Sequence, residues 1–335
     1  MTVDSAQLPE SDERGSAADV AIATVAFGLA VAAIATRTSR PPSTVALVAA
    51  GAFFTLVPGG YIALAIGGVR RSLRLRASRL DPVARLLAGP ALLLVATTGY
   101  LWASGLPTGF GLATYAAYLL VPPLLLAMPG ARGDAWSRVP VRELAAVLAL
   151  WLPIEWRLLP SLPLPAPDGV DMRKLVGLVN GMYVFLVARP LPHIGYTYRL
   201  NARDVTIAVG AFFAYAVVAL PIGFASGFIA WRPELDATRI LGAPLIIYLV
   251  TGVPEEFLFR GLLQNLLSQW LGARAGLATA SIVFGLAHLP DRRYVLLAAM
   301  AGVAYGWVYQ RTGRITASAV THALVDGTWG ALLGG

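Results

Sequence analysis

The sequence predicts an all-α protein, a polytopic transmembrane helical bundle, and three observations predict it. Hydrophobic residues make up 57% of the 335 positions and charged residues only 13%, with a mean hydropathy of +0.68. Soluble domains of this length do not have that composition. The apolar residues also fall in long unbroken runs, close to the roughly 20 residues a helix needs to cross a bilayer. A membrane β-barrel would instead alternate with period two. Finally, the net charge of +8 is almost all arginine, and the arginines fall between the apolar runs. That placement fits cytoplasmic loops and speaks against a nucleic-acid partner. With no cysteine in the chain, disulfides, thiolate metal sites and a cysteine nucleophile are excluded.

In chain order, residues 1–17 are polar and acidic and lack a basic leader, so a cytoplasmic tail is expected rather than a signal peptide. Apolar runs follow at 18–36 and 44–69. Arg70 opens the densest basic cluster, which continues through Arg71, Arg74, Arg76 and Arg79 to Arg85. The positive-inside rule places it, and with it the N-terminus, in the cytoplasm; Arg37 and Arg40 then fall on the opposite side. Runs at 86–103, 112–128 and 141–156 come next, separated by an uncharged outer loop at 105–109 and an arginine-bearing inner loop at 130–142. Glu155 and Arg157 close the last of these, where long side chains snorkel to the interface. The stretch 158–173 carries Pro160, Pro163, Pro165 and Pro167 with Asp168 and Asp171, too many prolines to continue a helix. It reads as an outer loop between accessory helices at 18–157 and a second bundle at 174–335. Later runs lie at 175–188, 205–230, 240–270, 275–289, 294–309 and 315–333. The total is about eleven spans, with no internal repeat.

One stretch stands out. Residues 251–260 read T-G-V-P-E-E-F-L-F-R, so Glu255, Glu256 and Arg260 sit inside an apolar run. Each ionisable group at bilayer depth costs about 2.5–3.5 kcal/mol on insertion scales, which makes function the default reading. Glu256 and Arg260 are four apart and share a helix face, so they can pair. Glu255 points about 100° away and is left to face a cavity. Pro254, with Thr251 and Gly252, predicts a broken or bent helix that can line a water-accessible cavity.

Two of the three histidines lie in later apolar runs. His288 follows Phe284 by one turn, and Asp326 follows His322 by one turn, placed to orient its imidazole. A carboxylate beside a histidine can activate water, and a second polar cluster can receive the developing oxyanion. His193 reads as a loop histidine.

The order E-E-x-x-x-R (Glu255, Glu256, Arg260), F-x-x-x-H (Phe284, His288) and H-x-x-x-D (His322, Asp326) resembles the CPBP family. That family comprises the type II CAAX prenyl endopeptidases and the bacteriocin-processing or Abi-type proteins. The resemblance covers about residues 240–333. It implies an intramembrane endopeptidase of the glutamic type, without cofactor, acting on a membrane-associated peptide or protein. Carried over, Glu255 is the general base and His288 its partner. His322 and Asp326 form the oxyanion site, and Glu256 and Arg260 orient it. The prenyl peptidases have Asn where this chain has Asp326, although bacterial members also use Asp; an ionised Asp cannot donate to an oxyanion, so either Asp326 is protonated in its apolar setting or it only orients His322. The compact loops suggest a prokaryotic plasma membrane. Three alternatives remain open. One is a zinc protease with Glu255, His288 and His322 as ligands; another is a non-catalytic scaffold or immunity protein; the last is a proton-coupled transporter.

Overall fold

A computed structural model describes residues 44–103, 109–128, 140–160, 162, 172–233 and 237–334, almost all of them helical. The tail at 1–17, the run at 18–36, Arg37, Arg40, most of the loops at 105–109 and 130–142, and most of the proline-rich stretch with Asp168 and Asp171 lie outside the described residues.

The described residues form two compact units, divided between Pro192 and His193. In the first, α1 (Thr44–Phe54) runs through a π-turn (Thr55–Gly59) and a short helical turn (Gly60–Ala63) to α2 (Gly67–Ala77). The two arms meet at 115°, because Ile66 is extended and two glycines follow it. Asp81 starts α3 (Pro82–Ala103) by accepting from the backbone N–H groups of Val83 and Ala84, with Pro82 at the first helical position. Helices α4 (Gly109–Ala127), α5 (Val141–Glu155) and α6 (Met172–Tyr183, extended by a π-turn at Val184–Ala188) complete this unit. A part-buried ion pair in this unit joins Glu143 to Arg189 at 2.7 Å.

The second unit begins with α7 (Ala202–Ala225), where Asn201 and Asp204 form a reciprocal capping box. Asp204 also holds Arg314 at 3.2 Å, which ties the start of α7 to the loop before the last helix. The apolar run at 240–270 folds as five consecutive helical pieces. They are α8 (Ala237–Ile247), a π-turn (Tyr248–Gly252), α9 (Val253–Glu256), a longer π-segment (Phe257–Gln264) and α10 (Asn265–Leu271). Then come α11 (Ala273–Leu286), α12 (Arg292–Thr312) and α13 (Ile315–Leu332). Asp291 caps α12, and Gly313 ends it in the left-handed conformation. A two-residue antiparallel bridge pairs β1 (Ala230–Trp231) with β2 (Leu333–Gly334). The α7–α12–α13 contact is built on Ala208, Ala211, Val308 and Ala317, small residues that let backbones approach.

Pro254 does not break the chain. Gly252 and Phe257 on either side keep right-handed helical angles, and wide π-turns flank the proline. Such a turn re-registers the backbone bonds that a proline cannot make.

By length and composition, Pro82–Trp102 and Ala202–Ala225 can each cross a membrane, and the bent pair Val48–Ala63 with Gly67–Ala77 makes a third if it counts as one span. Gly111–Ala127 and Ala273–Leu286 are shorter apolar helices. The difference from about eleven hydropathy runs has a local cause. The π-turns divide the run at 240–270, and α13 dilutes its apolar residues with serine, threonine, histidine and aspartate. The α7 surface carries the apolar side chains a lipid-facing helix needs, with Val217 74% exposed and Phe213 60%.

Candidate active site

The site is built by α9, the π-segment after it, the end of α11, and α12 and α13, all within the second unit. Its centre is Glu256, which is 0% exposed. Arg260 Nη1 donates to Glu256 Oε1 at 2.8 Å, and His322 Nδ1 lies 2.9 Å from the same oxygen. The Ser318 hydroxyl faces Glu256 Oε2 at 2.6 Å and the Tyr305 carbonyl at 2.7 Å. A charge so buried is tolerable only when paired and hydrogen-bonded on this scale.

Arg260 is 1% exposed. Its second nitrogen, Nη2, donates to the Gly302 carbonyl at 3.0 Å. The guanidinium also lies 4.6 Å from the Phe284 ring centre and 5.1 Å from that of Tyr305. Gly302 is needed here: a Cβ on it would stand 3.0 Å from Ser281 Cα, forcing α11 away from α12.

His322, 3% exposed, stacks on Tyr305 at 4.7 Å with the rings 15° apart. Its Nε2 lies 3.3 Å from Asp326 Oδ2 and 3.8 Å from Glu255 Oε2. Carboxylates therefore face both ring nitrogens. Carboxylates only accept, so the arrangement is satisfied when both nitrogens donate. The side chains of Glu255 and Asp326 are 24% and 38% exposed, so these two carboxylates form the open edge of the cluster.

His288 sits where α11 unwinds. The backbone there tightens: His288 N–H turns to the Gly285 carbonyl at 2.9 Å, and this leaves the Phe284 carbonyl without its usual partner. The His288 ring takes that place, with Nδ1 2.8 Å from the Phe284 oxygen. A carbonyl only accepts, so Nδ1 carries the proton and neutral His288 has its lone pair on Nε2. The Phe284 ring lies between the two histidines, 5.0 Å from His288 and 6.0 Å from His322.

The six residues singled out in the sequence thus fall into two groups. Glu255, Glu256, Arg260, His322 and Asp326 form one connected cluster, and His288 joins it across Phe284. Sequence reasoning passed over Ser318, Tyr305 and Gly302, which hold Glu256, His322 and Arg260 from other helices. The segment 309–318, which ends in Ser318 and resembles the family's lead-in to its last histidine helix, is a signal for the first, and a helix-contact glycine is one for the last. His193 lies in a loop with positive φ, and its carbonyl accepts from the Tyr309 hydroxyl. Among the described residues no group of three or more His, Asp or Glu side chains is arranged to hold a metal ion, the set Glu255, His288 and His322 included. Between α7, α12 and α13, an apolar cavity of about 550 Å³ is lined by Phe213, Val217, Leu220, Leu297, Val325 and Trp329.

Fold and site define a helical protein with apolar, membrane-type helices and a Glu–Arg–His cluster buried beneath a carboxylate-lined opening. Residues 237–328 match the family model described as type II CAAX prenyl endopeptidase Rce1-like, within the family group that the motifs resemble. The match contains all six of those residues and supports a membrane protease of this general class. No curated protein matches the chain, and no solved structure does.

Proposed function

We propose that the protein is an intramembrane endopeptidase of the glutamic type, cleaving a peptide bond in a membrane-associated protein or peptide. The observation that carries this reading is the division of labour between the adjacent glutamates. Glu256 is fully engaged by Arg260, His322 and Ser318, whereas Glu255 reaches the open edge beside His322 and Asp326.

In this reading Glu255 takes a proton from water, and His288 Nε2 accepts the water's other hydrogen and aims the oxygen. The nascent hydroxide attacks the carbonyl carbon, and the oxyanion shares with Asp326 the Nε2–H of His322. Glu255 then returns its proton to the leaving amine. Such proton transfer contributes about 10²–10⁴-fold, and a preorganised donor at the oxyanion adds about 10²–10³-fold. Glu256 and Arg260 take no proton; they fix the ring of His322. The same reading makes the protein integral to a prokaryotic plasma membrane, with about eleven passes and a cytoplasmic N-terminus. The partner is a peptide substrate in or on the bilayer.

The test is cleavage of a library of quenched fluorogenic peptides from membrane-protein tails by the full chain in detergent, with and without a chelator. Wild type should cleave in both conditions, and Glu255→Gln should not. Loss on chelation, together with bound zinc in the preparation, would transfer the chemistry to a metal.

A further inference from the structure

Ionised Asp326, with Oδ2 3.3 Å from His322 Nε2, has no proton to donate to an oxyanion, and the site then has one donor fewer than an asparagine would give it. The structure places another donor beside His288. Tyr294 lies in the first turn of α12, and its ring meets His288 edge-on at 4.4 Å. It is 38% exposed, and its Oη has no hydrogen-bond partner among the described residues. The ring stands within electrostatic reach of Asp326 and Glu255. Tyr215 and Tyr305 are also near Asp326, but the Tyr215 hydroxyl donates to the Leu297 carbonyl at 3.3 Å, and Tyr305 is buried under His322.

Tyr294 is held in place on its other side as well. Its ring is 5.3 Å from Phe228 and 5.9 Å from Trp329, and those two are 4.8 Å apart. Arg293 locks this box. It donates to Asp291 and to the Gly227 carbonyl at 3.2 Å, and its guanidinium lies 5.5 Å from the Phe228 ring. A phenol whose ring is boxed by Phe228 and Trp329, with an unused O–H and set against one candidate catalytic histidine, is preorganised to donate.

The geometry points to Tyr294 as a catalytic residue whose hydroxyl donates to the carbonyl oxygen of the scissile peptide and to the oxyanion formed from it. This rests on the endopeptidase reading. No covalent bond to Tyr294 forms, and its proton stays on Oη throughout.

The experiment compares wild type, Tyr294→Phe, Tyr294→Ala and Glu255→Gln in detergent on the most rapidly cleaved library peptide. Tyr294→Phe keeps the ring box and should lower kcat about 10²-fold with KM within about twofold. Wild-type kcat in Tyr294→Phe, with a loss only in Tyr294→Ala, overturns the proposal and leaves a packing role. Full activity in Glu255→Gln instead overturns the endopeptidase mechanism, as does a wild type that cleaves no peptide, and the proposal falls with either. A second readout needs no turnover. The ¹³Cζ resonance of Tyr294, assigned through Tyr294→Phe, should move in both Glu255→Gln and Asp326→Asn. An unmoved resonance places the hydroxyl away from the carboxylates and overturns the proposal independently.

Discussion

His322 Nδ1 lies 2.9 Å from Glu256 Oε1, joining two residues 66 positions apart inside a buried network. The contact makes α13 and the segment around Pro254 a single polar unit. It also leaves the second glutamate of the pair buried and held by Arg260, Ser318 and His322 together.

Arg260→Lys should test that unit. Lysine keeps the charge, but it cannot hold Glu256 and the Gly302 carbonyl together with planar donors while lying over Phe284 and Tyr305. We expect destabilisation of about 2–4 kcal/mol, below the 3–5 kcal/mol of a fully broken buried pair. Thermal unfolding in detergent measures it, and an unchanged midpoint would sink the idea that the pair supports the fold.

Ser318→Ala removes one hydroxyl and leaves Glu256 Oε2 without its 2.6 Å contact. An unsatisfied buried acceptor costs about 1–3 kcal/mol. Both the melting midpoint and cleavage should fall, since His322 is held through the same carboxylate. Chemical denaturation of the variant checks the first effect, and the peptide assay checks the second.

His288→Ala should behave differently. The ring is partly exposed and caps a single carbonyl, so the midpoint should shift little, while cleavage should fall by about 10²–10⁴-fold. A His288→Ala protein that cleaves at the wild-type rate contradicts the proposed role.

Asp326→Asn provides a cross-check on Tyr294. Asparagine can donate as well as accept. The loss caused by Tyr294→Phe should therefore shrink to about tenfold in the Asp326→Asn background, a non-additive pair in a double-mutant cycle. Additive losses would show that the two positions serve separate steps.

The sequence alone determined what lies within one helical turn. The pairing of Glu256 with Arg260, of His288 with Phe284 and of His322 with Asp326 follows from a four-residue spacing, because helix geometry places such residues on one face. The all-helical class was legible for a similar reason, since long apolar runs at bilayer length leave the backbone no other way to satisfy itself. What only the tertiary structure decided lies between helices. The seat of Ser318 on Glu256, the stacking of Tyr305 on His322, the Gly302 carbonyl under Arg260 and the edge of Tyr294 on His288 each join different helical segments. They depend on how α11, α12 and α13 pack and on the π-turns around Pro254, which re-register the backbone that carries both glutamates. A four-residue period cannot encode that register, because it is set by the side chains of other helices.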